Sequence, residues 1–95
     1  MTPPLPELVL YGRSGCHLCE EARAVVQSVL EDRASQALVV PRLVERDIET
    51  DEAWHRAYLE RIPVLVLGER RLELVMSYGK VRRMIADVLD AAPIA

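Results

Sequence analysis

The chain has 95 residues, enough for one domain close to the lower size limit for a core that folds without a staple. Hydrophobic residues are 51% of the chain and charged residues 28%, and because there is no Phe and one Trp, the core must be aliphatic. The net charge of −3 argues against nucleic acid or an anionic membrane as an obligatory partner. No apolar run approaches the roughly 20 residues of a membrane span.

The N-terminal segment MTPPLP lacks the basic and apolar regions of a secretory signal. We therefore expect a cytoplasmic protein that forms a single domain over residues 1–95, with an ordered core over about residues 8–91. The compartment bears on the two cysteines, because a cytosolic pair is more often catalytic, redox-sensing or metal-binding than structural.

The first half of the chain predicts a strand, a helix and a second strand. Residues 8–11 form a short apolar run before a glycine-containing turn at residues 12–15. From Cys16 to about Arg33 the pattern becomes helical, with apolar residues at i, i+3, i+4, i+7 and i+8: Ala22, Val25, Val26, Val29 and Leu30. The second strand lies within residues 38–48, and Pro41 marks its start or an edge position.

The second half predicts a short helix, a hairpin and a final helix. The acidic stretch at residues 50–52 caps the short helix, which is expected to bury Ala53, Trp54, Ala57 and Tyr58. Residues 64–67 form a buried strand, and Leu72, Leu74 and Met76 alternate with polar residues in its hairpin partner. Ser77 caps the last helix, whose apolar stripe consists of Val81, Met84, Ile85, Val88, Leu89 and Ala92. The order β-α-β-α-β-β-α is that of an α/β fold with a central four-stranded mixed sheet flanked by helices.

Cys16 and Cys19 form a C-x-x-C motif at the start of the first helix, directly after the first strand and its turn. Cβ atoms three residues apart on a helix are roughly 5–6 Å apart, and a disulfide needs about 3.5–4.5 Å, so a small adjustment closes the bridge. The helix N-terminus favours the thiolate of Cys16, which is the attacking species in thiol–disulfide exchange. Cys19, one turn further along, is expected to be more buried and to act as the resolving thiol.

Other roles for the cysteine pair are a purely structural one and metal binding. Cys16, Cys19 and His17 supply three ligands, whereas a structural zinc site takes four, and His55 is predicted on a different helix. We therefore expect no metal site within one chain. A non-enzymatic module is the alternative function, as a redox sensor or as the holder of an iron–sulfur cluster between two chains.

Three segments carry a resemblance to a known family. Residues 10–22 (LYGRSGCHLCEEA), 46–51 (RDIETD) and 61–65 (RIPVL) resemble the active-site segment, the second strand and the proline-bearing strand of small bacterial glutaredoxin-like proteins of the thioredoxin superfamily. This resemblance spans roughly residues 8–89. It implies the thioredoxin fold, Cys16 as nucleophile, Cys19 as its resolving partner and a cis bond between Ile62 and Pro63. The main chain of Ile62 would then lie beside Cys16 and pair with an extended peptide or glutathione.

The chain also departs from the glutaredoxin pattern. Glutaredoxins carry Pro and an aromatic residue between the two cysteines, where this chain has His17 and Leu18. Glutaredoxins bind glutathione through a Gly-Gly pair followed by an acidic residue. The corresponding residues here, 76–80 (MSYGK), have one glycine and no carboxylate. Tyr78 and Gly79 remain binding candidates, because they lie where the family's substrate groove closes.

Charged residues near the motif complete the candidate site. Arg13 occupies the position of the family's cation for the glutathione carboxylate. His17 is expected either to tune Cys16 by its charge or to point outward. These residues, with Ile62 and Pro63, predict an oxidoreductase without a tightly bound cofactor, acting on disulfide-containing proteins or small thiols. Glutathione, another low-molecular-weight thiol or a reductase would supply the electrons.

Overall fold

A four-stranded mixed sheet forms the centre of the computed structural model, which describes residues 5–74 and 76–90. Its strands are β1 (Leu8–Gly12), β2 (Leu43–Asp47), β3 (Val64–Leu67) and β4 (Arg70–Glu73), in the spatial order β2-β1-β3-β4. β1 is parallel to β2 and antiparallel to β3, and β3 is antiparallel to β4. The predicted element order and mixed sheet are confirmed.

Three helices, α1 (His17–Ser35), α2 (Glu52–Tyr58) and α3 (Tyr78–Leu89), flank this sheet, and a single 3-10 turn (Ile48–Thr50) precedes α2. Alternate residues of a strand point to opposite faces, and the two faces bury different clusters. Leu8 and Leu10 of β1 pack in the main core with α1 and α3, whereas Tyr11 packs in a smaller cluster with α2. In the described residues no helix is long and apolar enough to cross a membrane.

Polar side chains cap the two later helices as the sequence predicts. The Ser77 hydroxyl accepts a hydrogen bond from the Lys80 N–H at 3.1 Å and begins α3. Asp51, from the predicted acidic stretch, accepts from the N–H groups of Ala53 and Trp54 at 2.8 and 3.1 Å and begins α2. Each cap satisfies N–H groups that the first helical turn leaves unpaired.

The predicted burial of α2 is wrong for its two alanines. Ala53 and Ala57 are exposed, while Trp54 and Tyr58 are half-buried. A seven-residue helix makes only two turns, so it presents one narrow stripe to the sheet. Trp54 and Tyr58 occupy that stripe, and the alanines point to solvent.

β2 lies within its predicted range, whereas β4 is shorter than predicted. β2 covers Leu43–Asp47 and begins two residues after Pro41, which is buried ahead of the strand, while the three apolar residues at 38–40 are exposed. β4 ends at Glu73, because Leu74 adopts a left-handed backbone (φ 64°) and donates its N–H to the carbonyls of Arg61 and Pro63. Met76 is buried in the main core beyond the strand. Residue 91 of the predicted core and Ala92 of the α3 stripe lie outside the described residues.

The charged side chain of Arg33 is buried near the end of α1, with an exposed fraction of 3%. Its guanidinium binds both carboxylate oxygens of Asp90, at 2.9 and 2.6 Å, and its Nε donates to the Val39 carbonyl at 2.7 Å. Arg33 therefore links the ends of α1 and α3 to the segment that precedes β2. We call this arrangement the Arg33 clamp.

Candidate active site

The start of α1 holds a disulfide between Cys16 and Cys19, whose Cα atoms are 5.2 Å apart. Cys16 is the N-cap residue, with an extended backbone, and is half-buried. Cys19 lies within the first turn and is only 6% exposed. The outer cysteine is thus the one that a substrate reaches first, and the inner cysteine is the more buried, as predicted.

The sulfur of Cys16 takes part in capping the helix. Its Sγ accepts a hydrogen bond from the Cys19 N–H at 3.2 Å. This N–H belongs to the set that a helix start leaves without carbonyl partners, at the positive end of the helix dipole. After reduction the same N–H and dipole favour the thiolate of Cys16 over its thiol.

Gly12, the last residue of β1, makes room for Cys19. A Cβ atom added at Gly12 would lie 3.1 Å from both Cβ and Sγ of Cys19. The sequence reading assigned Gly12 to the turn and so missed this contact. The available signal was a glycine at the end of an apolar strand, since glycine within a strand often marks a close approach of backbone.

Ile62 and Pro63 form the segment that leads into β3. The Ile62–Pro63 peptide bond is cis. Ile62 is buried in one cluster with Cys19, and Cys16 packs against that cluster. The Pro63 carbonyl accepts from the Leu74 N–H at 2.8 Å, which ties the end of β4 to this segment. The structure therefore brings Ile62 together with Cys19, and Pro63 follows it at the start of β3.

Three aromatic side chains pack against the same cluster on the α2 side. The ring of Tyr11 lies 5.7 Å from that of Trp54, edge to face, and 4.7 Å from that of Tyr58. The Arg46 guanidinium lies 5.8 Å from the Trp54 ring centre, within the range of a cation–π contact. Burial raises the pKa of Tyr11, and the neighbouring Tyr58 adds to the effect. The three aromatic residues therefore pack against the cluster that contains Cys19, and Trp54 and Tyr58 have the core role that the sequence predicts.

Arg13 and His17 both carry acidic partners at the surface. The Arg13 guanidinium lies 3.5 Å from a carboxylate oxygen of Glu49. The His17 side chain is 81% exposed, with its Nε2 atom 3.0 Å from Glu21 one turn along α1. Of the two expectations for His17, the outward orientation is the one in the structure. Within the described residues no three His, Cys, Asp or Glu side chains are grouped to hold a metal ion.

Tyr78 and Gly79 begin α3, but the Tyr78 side chain points away from the disulfide. Its hydroxyl donates to the Asp32 carboxylate, and this hydrogen bond raises the pKa of Tyr78. Asp32 lies roughly 24 Å along α1 from Cys16, at 1.5 Å per residue. Gly79 is exposed, with open space around its Cα. The structure does not bring the Tyr78 hydroxyl to the cysteines.

A groove of about 390 Å³ borders Cys19 on the side of β2. We call it the β2-side groove. Its walls come from β1, the following turn, the first turns of α1, and β2: Leu10, Arg13, Ser14, Gly15, Cys19, Glu20, Arg23, Glu45 and Asp47. Sequence reasoning missed this groove, because Glu45 and Asp47 of its wall lie on β2, far along the chain from the cysteines.

A mixed sheet, a C-x-x-C disulfide at the start of the first helix and a proline directly before an antiparallel strand define a protein of the thioredoxin fold. The family model described as "Glutaredoxin-like domain (DUF836)" matches residues 7–89. The chain therefore belongs to this glutaredoxin-like family. Comparison with curated proteins gives no match.

Solved structures from two bacteria are similar over nearly the whole chain. The X-ray structure of target protein XcR50 from X. campestris is 32% identical, with a TM-score of 0.67, covering 90% of this chain and 99% of that one. Its solution structure gives 31% identity and a TM-score of 0.62, covering 94% and 99%. The solution NMR structure of protein Ne2328 from Nitrosomonas europaea is 28% identical, with a TM-score of 0.61, covering 95% and 93%.

Proposed function

We propose that the protein is a thiol–disulfide oxidoreductase that uses the Cys16–Cys19 pair. The observation that carries the proposal is the placement of this pair at the start of α1, with Cys16 half-buried and Cys19 buried behind it. A helix N-terminus stabilises a thiolate, and a second sulfur one turn away can displace whatever binds to the first. Family membership supports redox chemistry of this kind.

The reaction proceeds in two exchange steps. The Cys16 thiolate attacks a substrate disulfide, forms a mixed disulfide and releases one substrate thiolate. Cys19 then attacks the Cys16 sulfur, releases the second substrate thiolate and restores the Cys16–Cys19 disulfide. Two electrons pass from the dithiol to the substrate, and an external thiol or reductase returns them.

The substrates in this proposal are disulfide-containing proteins or small disulfides in the cytoplasm. Because Ile62 is buried in one cluster with Cys19, we expect a substrate to dock on the Ile62 side, and Arg13 offers a cation to an anionic substrate. Glutathione or another low-molecular-weight thiol, or a reductase, supplies the electrons. No tightly bound cofactor is required for these steps.

A turnover assay with alternative electron donors tests the proposal. The wild-type protein is supplied either with glutathione or with thioredoxin reductase, and the donor that sustains turnover identifies the reductant. Cys16→Ser is expected to abolish exchange. Cys19→Ser is expected to accumulate a mixed disulfide at Cys16, which mass spectrometry detects. The two variants therefore assign the attacking and resolving roles separately.

A reduced protein whose Cys16 resists alkylation at neutral pH would refute the proposal. Visible absorbance of protein prepared without oxygen, combined with no turnover, would favour the cluster-binding alternative instead. A redox sensor would show a reversible disulfide and no turnover with either donor.

A further inference from the structure

The Glu49 carboxylate lies between an arginine and a histidine. One of its oxygens, Oε1, is 3.5 Å from the Arg13 guanidinium, and the other, Oε2, is 3.7 Å from Nε2 of His55. Both distances are within the range of an ion pair, and the two partners approach different oxygens. Arg13, Glu49 and His55 therefore form a linked group, which we call the Glu49 bridge.

The fold brings three separate segments of the chain to the Glu49 bridge. Glu49 lies in the 3-10 turn after β2, where its N–H donates to the Asp47 carboxylate at 2.9 Å. His55 lies one turn into α2, where its N–H donates to the carbonyl of the capping residue Asp51 at 2.9 Å. Arg13 belongs to the turn between β1 and α1. The two partners of Glu49 are thus held on different elements.

The charge of the Glu49 bridge depends on the protonation of His55. An arginine stays protonated in proteins, and a glutamate is ionised above about pH 5, so the charges of Arg13 and Glu49 cancel while the imidazole is neutral. Histidine is the side chain whose ordinary charge change falls between about pH 5 and 8. A proton on His55 leaves the bridge with one uncompensated positive charge.

The other charged groups around α2 do not change their charge near neutral pH. In the described part of the chain they come from α2, from the residues that follow it and from β2: Asp51, Glu52, Arg56, Glu60, Arg61 and Arg46. Carboxylates and guanidinium groups keep their charge between about pH 5.5 and 7. The Tyr11 phenol faces α2 from the sheet and stays neutral, because burial raises its pKa. His55 is therefore the group that alters the charge of this region.

The Glu49 bridge extends to the active site through Arg13. Arg13 lines the β2-side groove together with Cys19, so an anionic substrate in this groove competes with Glu49 for the same guanidinium. Exposed ion pairs are weak, and both Arg13 and Glu49 are about half exposed. A second cation next to Glu49 can therefore shift the balance of this competition.

We propose that His55, through the Glu49 carboxylate that it shares with Arg13, makes the preference for anionic over cationic disulfides depend on pH. The inference rests on the oxidoreductase function proposed above. Protonated His55 attracts Glu49 and leaves the charge of Arg13 to an anionic substrate, whereas neutral His55 leaves Glu49 to Arg13 alone. His55 is a positioning residue in this scheme, because it acts through Glu49 and takes no part in the exchange steps.

The ratio of two reduction rates tests the proposal. Glutathione disulfide carries more carboxylates than amines, and cystamine carries only amines. The same Cys16 thiolate attacks both disulfides, so its own pH dependence cancels in the ratio. Between pH 5.5 and 7 the substrate carboxylates stay ionised and the amines protonated. Reduced protein is mixed with each disulfide at about 10 mM ionic strength, where screening is weak, and its oxidation is followed by acid quenching and mass spectrometry.

Variants of His55 fix the charge of the bridge in either state. All chains carry His17→Gln, because His17 is the other histidine of the sequence and is 81% exposed next to Cys16. In this background the ratio of glutathione disulfide to cystamine rates should fall about two- to fivefold from pH 5.5 to 7. Adding His55→Gln should keep the ratio at its pH 7 value throughout. Adding His55→Lys, a cation at both pH values, should keep it near its pH 5.5 value.

Glu49→Gln, added to the same background, tests whether the carboxylate transmits the effect. The charge of Arg13 is then uncompensated at every pH, so the ratio at pH 7 should rise and the change with pH should shrink to less than half. Glu52→Gln is the matched control, because it removes the same charge from an 88% exposed side chain at the start of α2 that pairs with Arg56. This control should keep the full response to pH.

Three results would overturn the proposal: a ratio that is constant with pH in the His17→Gln background, a ratio that still falls in His55→Gln, or a full response in Glu49→Gln. The response should also vanish at about 1 M salt, where charges are screened within roughly 3 Å, and its persistence there would contradict an electrostatic cause. If the reduced protein failed to reduce both disulfides at every pH, the oxidoreductase function itself would be refuted instead.

Discussion

Gly12 and Cys19 are in direct contact across the junction of β1 and α1. A methyl group at residue 12 would lie 3.1 Å from both the Cβ and the Sγ of Cys19. That separation is shorter than ordinary van der Waals contact, which lies near 3.5–4.0 Å between carbon atoms. The absence of a side chain at residue 12 therefore lets Cys19 pack closely against the end of β1.

Replacement of Gly12 by Ala should displace Cys19 by a few tenths of an ångström. We expect the oxidised protein to lose about 1–3 kcal/mol of unfolding free energy through overpacking, and the reduced protein to close its disulfide more slowly. Urea unfolding of the oxidised protein and the rate at which the reduced protein re-forms its disulfide measure the two effects.

A control for the same substitution is available in α3. A Cβ at Gly79 meets nothing within 4 Å, and Ala is the better helix former by about 1 kcal/mol, so Gly79→Ala should raise the unfolding free energy. If Gly12→Ala were as stable as wild type, Cys19 would not be held by this contact.

The Arg33 clamp predicts that loss of the Asp90 charge lowers stability more than loss of an exposed aspartate charge does. Arg33 is 3% exposed, so Asp90→Asn leaves its guanidinium buried without a countercharge. We expect a loss of about 2 kcal/mol, below the 3–5 kcal/mol of a fully buried pair because the Asp90 side chain is 30% exposed. Chemical denaturation provides the measurement.

Asp87→Asn is the matched control for the clamp. Asp87 pairs with Arg70 at 3.3 Å, and both side chains are about half exposed. Exposed pairs contribute little, so the change should stay within about 0.5 kcal/mol. Equal losses in the two variants would mean that burial of Arg33 adds nothing to its interaction with Asp90.

The same clamp makes part of the stability depend on pH. The hydrogen bonds from Arg33 lower the pKa of Asp90 from its ordinary value of 3.8. The folded state therefore holds the Asp90 proton less tightly than the unfolded chain, and this contribution is complete above about pH 4 and lost as the pH falls through the lower, folded pKa. Unfolding free energies measured from neutral pH downward should converge for wild type and Asp90→Asn in acid. A constant difference at every pH would exclude this linkage.

The apolar periodicity of the sequence predicted those elements whose burial depends on local pattern. Ala22, Val26 and Val29 are buried along α1 as expected, and the stripe of α3 buries Val81 and Met84. The C-x-x-C motif predicted a disulfide because its two cysteines are only three residues apart in the chain. In these cases one helical turn or one strand contains all the information that the prediction needs.

Contacts between distant segments were not accessible in this way. Arg33 and Asp90 are 57 residues apart, and a lone arginine in a helix gives no sign that a carboxylate on another helix will cover it. Asp47 comes to line the same groove as Cys19 only through the pairing of β2 with β1. The side chain of Tyr78 lies against α1 because α3 packs on α1. The match to the family's glycine-rich segment gives no information about this packing.

Arg13, which lines the groove beside Cys19, forms an exposed ion pair with Glu49, and this pair makes the substrate preference testable. The charged atoms are 3.5 Å apart, and both side chains are about half exposed. Glutathione disulfide carries carboxylates, whereas cystamine carries only amines. Arg13→Ala should slow reduction of glutathione disulfide about two- to fivefold at low ionic strength, because a local cation raises the encounter rate with an anion. The rate with cystamine should stay the same or rise.

Glu49→Gln provides the opposite test, because it leaves Arg13 without its partner. Reduction of glutathione disulfide should then become faster, while that of cystamine becomes slower. Both effects should fade at about 1 M salt, where screening acts within roughly 3 Å. A charge that attracts an anionic substrate must change the two reduction rates in opposite directions. If either variant changed the rates with glutathione disulfide and cystamine in the same direction, Arg13 would instead affect the reactivity of Cys16 itself.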